Sequence, residues 1–208
     1  MKRLQRPLFP VSAAFVAVAC ATLIAAPAAR AQGEGWTVLF DGKSLEHFDK
    51  VGDANWRIED GAVVADKGVG FLVTKRPYGD YQLRVEFWAD EDVNSGIYMR
   101  CANPAELTDK TCYEANIYDK RPDPTFGNGA IVHLAKAPDP MPKLGGKWNT
   151  YEITAKGPEL TVILNGQTTV QGFKHDQLKS GPIGLQYGAS VVKDKGIIKF
   201  RKVEIRPL

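Results

Sequence analysis

The sequence predicts an all-β sandwich or jelly roll, and three patterns carry this prediction. Short runs with apolar residues at alternate positions recur along the chain, and turns rich in Gly, Pro, Asn or Asp separate them. No segment sustains the 3.6-residue apolar period of a helix. The dipeptide Asn165-Gly166 lies between two runs and is a strong hairpin signal, because such a two-residue turn needs positive φ at both positions.

The strands predicted in the first half of the chain are identified by their β-branched and aromatic content and by the turn residues beside them. Asp-Gly dipeptides at 41–42 and 60–61 mark two of these turns, and Gly-Asp at 79–80 marks a third. The alternation is most regular in the run that follows this third turn. In chain order, the predicted strands are 36–40, 55–60, 62–65, 71–74, 81–88, 95–100 and 113–118.

The second half of the chain continues the same rhythm of alternating runs and turns. Asn165-Gly166 separates two runs of nearly equal length, and Gly181-Pro182 precedes another. The last run is long and places Ile, Phe, Val and Ile between charged residues. The predicted strands here are 129–134, 149–156, 160–165, 167–171, 183–187 and 197–206.

The 208 residues are expected to comprise a secretory leader at 1–31 and one domain at 32–208. The leader begins with basic residues, continues with an apolar run at 11–26, and ends in small residues that predict cleavage after about Ala31. The apolar run is shorter than the ~20 residues that span a bilayer. We therefore expect a secreted or periplasmic protein. Lipidation at Cys20 is the alternative, and it is disfavoured because the apolar segment continues beyond that residue.

Removal of the leader would change the charge balance of the protein. The full chain carries 27 basic and 24 acidic side chains, and four of the basic ones, but none of the acidic ones, belong to the leader. The remaining 23 basic residues leave a net charge of −1. A near-neutral domain lacks the electrostatic attraction on which binding to nucleic acid or anionic membrane depends. Neither partner is predicted.

Cys101 and Cys112 are the two cysteines of the predicted domain, and they bracket one polar loop. In an exported protein such a pair predicts a disulfide. Two thiols alone cannot complete a zinc site, and the three histidines (His47, His133 and His175) are not at metal-ligand spacing. No transition-metal site is predicted.

Alternation also indicates which side chains share a face of a sheet, because successive Cβ atoms point to opposite sides. If 81–88, 95–100 and 113–118 are neighbouring strands, their non-core positions form one open face. That face would carry Arg84, Glu86, Trp88, Tyr98, Arg100, Glu114 and Asn116. Rings beside charges and amides are typical of carbohydrate sites. A solvated outer face with cross-strand Arg–Glu pairs explains the composition equally well.

Seven phrases of the sequence, in this order, resemble one protein family. They are 36-WTVLFDGKSLEHF-48, 56-WRIEDGAVV-64, 78-YGDYQLRVEFW-88, 94-NSGIYMR-100, 112-CYEANIYDKRPDP-124, 148-WNTYEITAKGPELTVILNG-166 and 181-GPIGLQYG-188. Together they resemble the secreted 3-keto-disaccharide hydrolase domain family over residues 35–208. The resemblance implies a concanavalin-like β-sandwich of two antiparallel sheets, related in shape to legume lectins and laminarinase-type glucanases.

The resemblance also implies cleavage of sugars oxidised at C3. A ketone there acidifies the C2 proton, so a base can remove it, the C1 substituent can leave, and water can add back. Within this chemistry, the facing argument makes Glu114 the base, Arg100 and Tyr98 the enolate or hydroxyl binders, and Asn116 the residue that orients the substrate.

The loop that follows the predicted strand 113–118 is expected to form the rim of the site. Pro122 and Pro124 stiffen this loop, which can bring Asp119 or Arg121 toward a bound sugar. Asp119 or His133 is the expected acid or second base.

Two other functions stay open at this point. A non-catalytic carbohydrate-binding module or lectin uses the same sandwich, because fold does not determine function. A two-carboxylate glycosidase is the second. The spacing Glu114-x-Asn116-x-x-Asp119 superficially resembles the Glu-x-Asp-x-x-Glu strand of laminarinases. Here the middle residue is an amide and the last is a shorter acid, which disfavours standard retaining hydrolysis.

No cofactor is predicted. Concanavalin-like sandwiches often hold calcium with loop oxygens, which keeps a calcium site at Asp41 or at the acidic run 90–92 as an alternative. The favoured interpretations are that Asp41 shapes a turn and that 90–92 is a solvated loop.

Overall fold

The structure is a computed structural model, and it describes residues 35–188 and 196–208. These residues belong to one compact unit, Gly33–Leu208. The predicted leader at 1–31, with Cys20, lies outside the described residues. Within the described part, no helix is long and apolar enough to cross a bilayer.

The described residues form thirteen β-strands and one short 3-10 helix, with no α-helix among them. The 3-10 helix is Pro124–Phe126. The strands are β1 (Thr37–Phe40), β2 (Phe48–Gly52), β3 (Arg57–Glu59), β4 (Ala62–Ala65), β5 (Gly70–Thr74), β6 (Tyr81–Ala89), β7 (Ser95–Met99), β8 (Tyr113–Ile117), β9 (Lys147–Lys156), β10 (Glu159–Leu164), β11 (Gln167–Lys174), β12 (Gly184–Tyr187) and β13 (Ile198–Pro207).

The strands make two antiparallel sheets. The larger sheet has the order β11-β10-β9-β6-β13-β4-β3, with β1 paired to β13, and the smaller has the order β2-β5-β12-β7-β8. Apolar side chains from both sheets form one buried cluster. Leu83, Val85 and Phe87 of β6 enter it, and so do Ile97 and Met99 of β7, as their alternation predicted. The all-β sandwich of two antiparallel sheets is confirmed.

The hairpin predicted at Asn165-Gly166 is present between β10 and β11. Leu164 pairs with Gln167, and the two turn residues have φ values of 52° and 80°. Asparagine and glycine are the residues that adopt this left-handed region most readily. The sequence therefore predicted both the turn and its backbone conformation.

One strand prediction is wrong, and one strand was not predicted. The segment 129–134 is not a strand: Ile131 makes isolated bridges to Ala115 and Ala135, and His133 has a φ of 65°. Strand β2 was not predicted, and only Phe48 in it is buried. An edge strand with one buried side chain carries little alternation, which explains why the pattern missed it.

The predicted neighbourhood of β6, β7 and β8 is also wrong. β7 pairs with β8 in the smaller sheet, whereas β6 lies between β9 and β13 in the larger one. Arg84, Glu86 and Trp88 are therefore not on the face that carries Tyr98 and Glu114. Alternation assigns a side chain to one side of its strand, but it does not identify the sheet to which the strand belongs.

The outer face of β6 is a solvated surface with cross-strand Arg–Glu pairs, which was the alternative to a carbohydrate site. Arg84 pairs with Glu152 at 3.2 Å, and Arg201 pairs with Glu86 at 2.7 Å. The Nζ atom of Lys199 lies 5.2 Å from the centre of the Trp88 ring. These are the cross-strand pairs expected of an exposed sheet surface.

In the two acidic turns considered for calcium, the Asp carboxylates accept hydrogen bonds from backbone N–H groups. The N–H of Lys43 donates to Asp41 Oδ1 at 3.1 Å, which is the predicted turn-shaping contact. Asp90 accepts the N–H groups of Val93 and Ile197 at 2.8 and 2.7 Å, so this acid ties two loops together. The described residues contain no group of three His, Cys, Asp or Glu side chains placed to hold a metal ion.

Candidate functional site

One face of the smaller sheet points away from the core and carries polar side chains. The odd-numbered residues of β7, β8 and β12 enter the core, so the even-numbered residues face the other way. Tyr98, Glu114 and Asn116 lie on this face, as their alternation predicted, and Gln186 joins them from β12. All four are buried, because loops cover the face.

A cavity of about 300 Å³ opens on this face. These four side chains line its sheet side. The rest is lined by Asn94, which directly precedes β7, and by two loops, with Leu107, Thr108 and Asp109 from the first and Arg121, Phe126 and Val132 from the second. The result is a small cleft with a polar floor and mixed walls, which is the usual form of a small-molecule site.

The first loop is closed by the predicted disulfide, which the structure confirms. Cys101 follows β7 and Cys112 precedes β8, and the two are bonded. Both cysteines pack with Leu107 and Tyr98 in a small apolar cluster separate from the main core. The disulfide therefore anchors the loop that supplies one wall of the cavity.

Glu114 is the central titratable group of the cavity. Its exposed fraction is 7%, and it lies directly opposite Tyr98 in the β7–β8 pair. Burial raises the pKa of Glu114 to about 7, because removal from water disfavours the carboxylate. The charge of Asp109 raises this pKa further, whereas Tyr98 and Arg121 lower it. A carboxyl group that titrates near neutrality is suited to exchange protons with a substrate.

Gly96 of β7 makes room for this carboxylate. A Cβ atom at Gly96 would lie 2.5 Å from Glu114 Oε1 and 3.0 Å from Glu114 Cγ. Any side chain there would displace the Glu114 side chain from its present position. The glycine is thus required by a close approach between neighbouring strands.

Tyr98 links Glu114 to Gln186. Gln186 Nε2 donates to the Tyr98 hydroxyl at 2.9 Å, and this hydroxyl lies within hydrogen-bonding reach of the Glu114 carboxylate. A phenol has one proton, so Tyr98 accepts from Gln186 and donates to Glu114. Burial and the charge of Glu114 raise the pKa of Tyr98 far above its usual value, which keeps the phenol protonated.

Arg121 and Asn116 complete the polar lining. The guanidinium of Arg121 lies 4.8 Å from the ring centre of Phe126 and 5.7 Å from that of Tyr118. These rings hold a cation at the cavity wall, where the rim loop was predicted to bring it. Asn116 Nδ2 donates to the carbonyl of Phe126, so its amide connects the sheet to the second loop.

Arg100 does not lie in this cavity, contrary to its predicted place beside Tyr98 and Glu114. Its φ is 50°, so the chain leaves the strand at this residue and the alternation ends. The guanidinium is fully buried and donates to the carbonyls of Gly79 and Gly157 at 2.9 and 2.7 Å and to Asp80 at 3.0 Å. These contacts give Arg100 a structural role.

Asp119 is also outside the cavity, contrary to its predicted role as acid. It accepts from Asn128 Nδ2 at 2.6 Å and from the backbone N–H groups of Leu144 and Gly145 at 2.9 and 2.8 Å. A carboxylate saturated by donors from two loops holds those loops together. It has no free edge directed at the Glu114 cavity.

His133 stands at the rim of the cavity. Its Nε2 atom lies 2.7 Å from Asp109 Oδ2, and its ring meets Phe126 edge to face at 4.8 Å. Both contacts are with residues that line the cavity. The imidazole is exposed to solvent at this rim.

Sequence reasoning missed several residues of the cavity lining, Gln186 and Asp109 among them. Gln186 follows Leu185 in the predicted strand 183–187, where the sequence analysis assigned no faces, and nothing in the sequence identified β12 as the neighbour of β7. Asp109 lies in a loop, where periodicity carries no information. Closure of that loop by the disulfide was the available signal that it would sit near β8.

Comparison with known families agrees with the fold. Residues 35–206 match the family described as the 3-keto-alpha-glucoside-1,2-lyase-like domain. No match is found among curated protein sequences. A solved structure of a candidate glycosyl hydrolase from Parabacteroides distasonis ATCC 8503 is 27% identical with a TM-score of 0.68, and the alignment covers 83% of this chain and 99% of that chain.

Two more distant structures share the sandwich. The carbohydrate-binding module CBM66 from Bacillus subtilis is 16% identical with a TM-score of 0.55, and 83% of this chain aligns with 95% of it. A prokaryotic β-1,3-1,4-glucanase (lichenase) derived from a mouse hindgut metagenome is 13% identical with a TM-score of 0.57, covering 83% and 99%. The predicted concanavalin-like jelly roll of lectins and glucanases is thereby confirmed.

Proposed function

Since the chain belongs to the 3-keto-alpha-glucoside-1,2-lyase-like domain family, we propose that it cleaves glycosides whose sugar ring carries a ketone at C3. The observation that carries this proposal is Glu114. A carboxyl group with an exposed fraction of 7% and a pKa raised to about 7 by burial lies in a cavity sized for a small molecule. A binding module gains little from such a group, whereas a general base requires it.

The proposed reaction is an elimination followed by hydration. The Glu114 carboxylate takes the C2 proton, the electron pair of that C–H bond forms a C2=C3 double bond, and the carbonyl π pair moves to the C3 oxygen as an enolate. The C3 carbonyl then re-forms, the C2=C3 pair becomes a C1=C2 double bond, and the C1 oxygen is expelled with its substituent, which leaves as an alcohol after gaining a proton. Water then adds across the double bond, with hydroxide at C1 and the proton at C2, so the net result is hydrolysis.

The neighbours of Glu114 are assigned to the charges that develop in this reaction. Arg121 is the cation on the cavity wall, and it replaces Arg100 as the group that stabilises the enolate oxygen. Tyr98 donates to the Glu114 carboxylate and holds it in place. Asp109 and His133, which are hydrogen-bonded to each other at the rim, are the candidate proton donors to the leaving oxygen.

The test compares oxidised and unoxidised substrates. The purified protein is incubated with a 3-keto-glucoside or 3-keto-trehalose in D₂O, and with the unoxidised sugar in parallel. We expect cleavage of the keto sugar alone, with deuterium at C2 of the released sugar. Equal rates on both sugars, or release without deuterium, would overturn the elimination. Binding of sugar with no cleavage would favour a carbohydrate-binding module.

A pair of matched variants tests whether Glu114 is the general base. Glu114→Gln is expected to lower turnover by about 10²–10⁴-fold. Glu86→Gln, on the outer face of the other sheet, should leave turnover unchanged. A folded but inactive Glu114→Gln protein is the decisive result, and unchanged turnover in that variant would contradict the role.

The stability of the Glu114→Gln variant should depend on pH differently from that of the wild type. Wild-type Glu114 has a folded-state pKa of about 7 and an ordinary unfolded-state pKa of about 4.5. Its burial therefore costs stability progressively as pH rises between these values, by up to about 3 kcal/mol above pH 7. Glu114→Gln should be more stable than wild type at pH 8 and lose this advantage at pH 4.

A further inference from the structure

Asn116 carries a hydrogen-bond acceptor that is open to the cavity and has no partner in the described part of the chain. Its exposed fraction is 4%, and it lines the cavity together with Glu114. Its Nδ2 group donates to the carbonyl of Phe126, whereas no described residue donates to its Oδ1 atom. Unlike Gln186 Oε1, which is unpaired and sealed inside the protein, Asn116 Oδ1 is not enclosed. A nearly buried acceptor that reaches a cavity is placed to accept a hydrogen bond from a ligand.

The direction of this acceptor is fixed by the other contacts of Asn116. Its backbone N–H donates to the carbonyl of Ala130 at 3.3 Å, and its carbonyl accepts from the Tyr151 hydroxyl. Tyr151 belongs to β9, so both sheets hold this residue. The Nδ2 contact to Phe126 fixes which edge of the amide carries Oδ1. A preorganised acceptor of this kind needs little reordering when a ligand binds.

The acceptor lies beside the proposed base. Gly96 of β7 is the cross-strand partner of Asn116, and the Glu114 carboxylate occupies the space that a side chain at position 96 would need. The Cβ positions of such a pair are ~5 Å apart, so Glu114 and Asn116 flank the same short stretch of the cavity. A carbon ~3 Å from a base, with its own hydroxyl ~2.8 Å from a second acceptor, requires two acceptor atoms ~5 Å apart. One carbon that bears both a hydrogen and a hydroxyl can therefore engage both residues.

We propose that Asn116 Oδ1 accepts a hydrogen bond from the C2 hydroxyl of the substrate and thereby turns the C2 hydrogen toward Glu114. This inference rests on the proposed function, which makes C2 the reacting carbon. An amide binds the hydroxyl without adding a second negative charge, which would raise the pKa of Glu114 further. Asn116 is thus a specificity-determining residue, because a sugar that lacks this hydroxyl leaves the acceptor unpaired.

The experiment compares substrates that differ in one hydroxyl. The full-length chain and its Asn116→Leu variant are assayed for kcat/KM on a 3-keto-glucoside and on its 2-deoxy and 6-deoxy analogues. Leucine keeps the approximate size of the side chain and removes the acceptor. Gln171→Leu, at an exposed position of β11, serves as the control protein. Loss of the 2-hydroxyl also changes the intrinsic reactivity of C2, but this change is the same in every protein and cancels in the comparison.

The preference for the parent sugar over its 2-deoxy analogue should be about 10-fold larger in the wild type and in Gln171→Leu than in Asn116→Leu. The preference over the 6-deoxy analogue should be alike in all three proteins. Equal 2-deoxy preferences in the wild type and Asn116→Leu would overturn the role of Asn116. Equal changes in both preferences would also overturn it, since a merely loosened loop would produce them. Asn116→Ser, whose short side chain withdraws the acceptor, replaces Asn116→Leu if that protein does not fold.

Failure of this inference is distinguishable from failure of the proposed function. If the wild type cleaves the 3-keto-glucoside but the 2-deoxy preference does not depend on Asn116, only the role of Asn116 falls. If the wild type binds these sugars without cleaving them, the proposed function fails, and the same comparison of Kd values still tests Asn116. If it neither binds nor cleaves them, both proposals fall.

Discussion

The pKa of Glu114 is set by neighbours that shift it in opposite directions. Burial raises its pKa to about 7, and the negative charge of Asp109 acts in the same direction. The hydrogen bond from Tyr98 and the positive charge of Arg121 oppose them. Because Asp109 and Arg121 belong to different loops, the two charges can be removed separately without touching the sheet.

The pH dependence of kcat/KM follows from this balance. A base works in its ionised form, so the rate should rise with pH through a midpoint near 7 in the wild type. Arg121→Gln removes a charge that favours the carboxylate and should move the midpoint upward. Asp109→Asn removes a charge that disfavours it and should move the midpoint downward. Shifts in the same direction would contradict the electrostatic account of Glu114.

At this scale the sequence predicted part of the site. Alternation placed Tyr98, Glu114 and Asn116 on the polar face, because all three lie inside strands. It failed at Arg100, where a φ of 50° ends the strand and directs the side chain elsewhere. A period of two applies only while the backbone stays extended, and the sequence does not mark the residue at which it stops.

At the scale of elements, the β7–β8 pair builds the site by bringing a glycine beside a carboxylate. Gly96 lies on β7 and Glu114 on β8, and the Glu114 side chain occupies the space that a side chain at position 96 would need. The geometry of the base therefore depends on a residue that has no functional group. Gly96 is a positioning residue for Glu114.

Gly96→Ala should reduce kcat by at least about 10-fold, because a Cβ there would lie 2.5 Å from Glu114 Oε1 and would move the base. The rising pH limb should shift as the carboxylate changes environment, an effect that a merely weakened sheet would not produce. Gly79→Ala is the control, since its Cβ would meet nothing closer than 3.8 Å. Unaltered kcat and pH profile in Gly96→Ala would contradict the positioning role.

The elements themselves were largely predictable, whereas their pairing was not. Runs such as 62–65 and 81–88 match β4 and β6 closely, because strand character is local. The choice between sheets is not local: β6 pairs with β9 and β13, which lie far away in sequence. Arg84, Glu86 and Trp88 were misplaced for that reason, although each was assigned to the correct side of its own strand.

At the scale of the whole molecule, Arg100 connects the two sheets. It follows β7 of the smaller sheet, and its guanidinium contacts Gly79 and Asp80, which immediately precede β6 of the larger sheet. A third contact, to Gly157, lies in the turn between β9 and β10. One fully buried side chain thus satisfies carbonyls from two loops that flank strands of the larger sheet.

Experiment should therefore separate the roles of Arg100 and Arg121, two of the arginines first considered for the site. Arg100→Met leaves buried carbonyls without donors and should lower the free energy of unfolding by about 3 kcal/mol or more, while the folded fraction keeps its kcat/KM. Arg121→Met, at an exposed position on the cavity wall, should change stability by less than about 1 kcal/mol but reduce kcat/KM strongly. Urea unfolding and steady-state kinetics on both variants measure the contrast. If Arg100→Met is stable but inactive, the guanidinium of Arg100 acts on the substrate after all, and the assignment of the enolate to Arg121 is wrong.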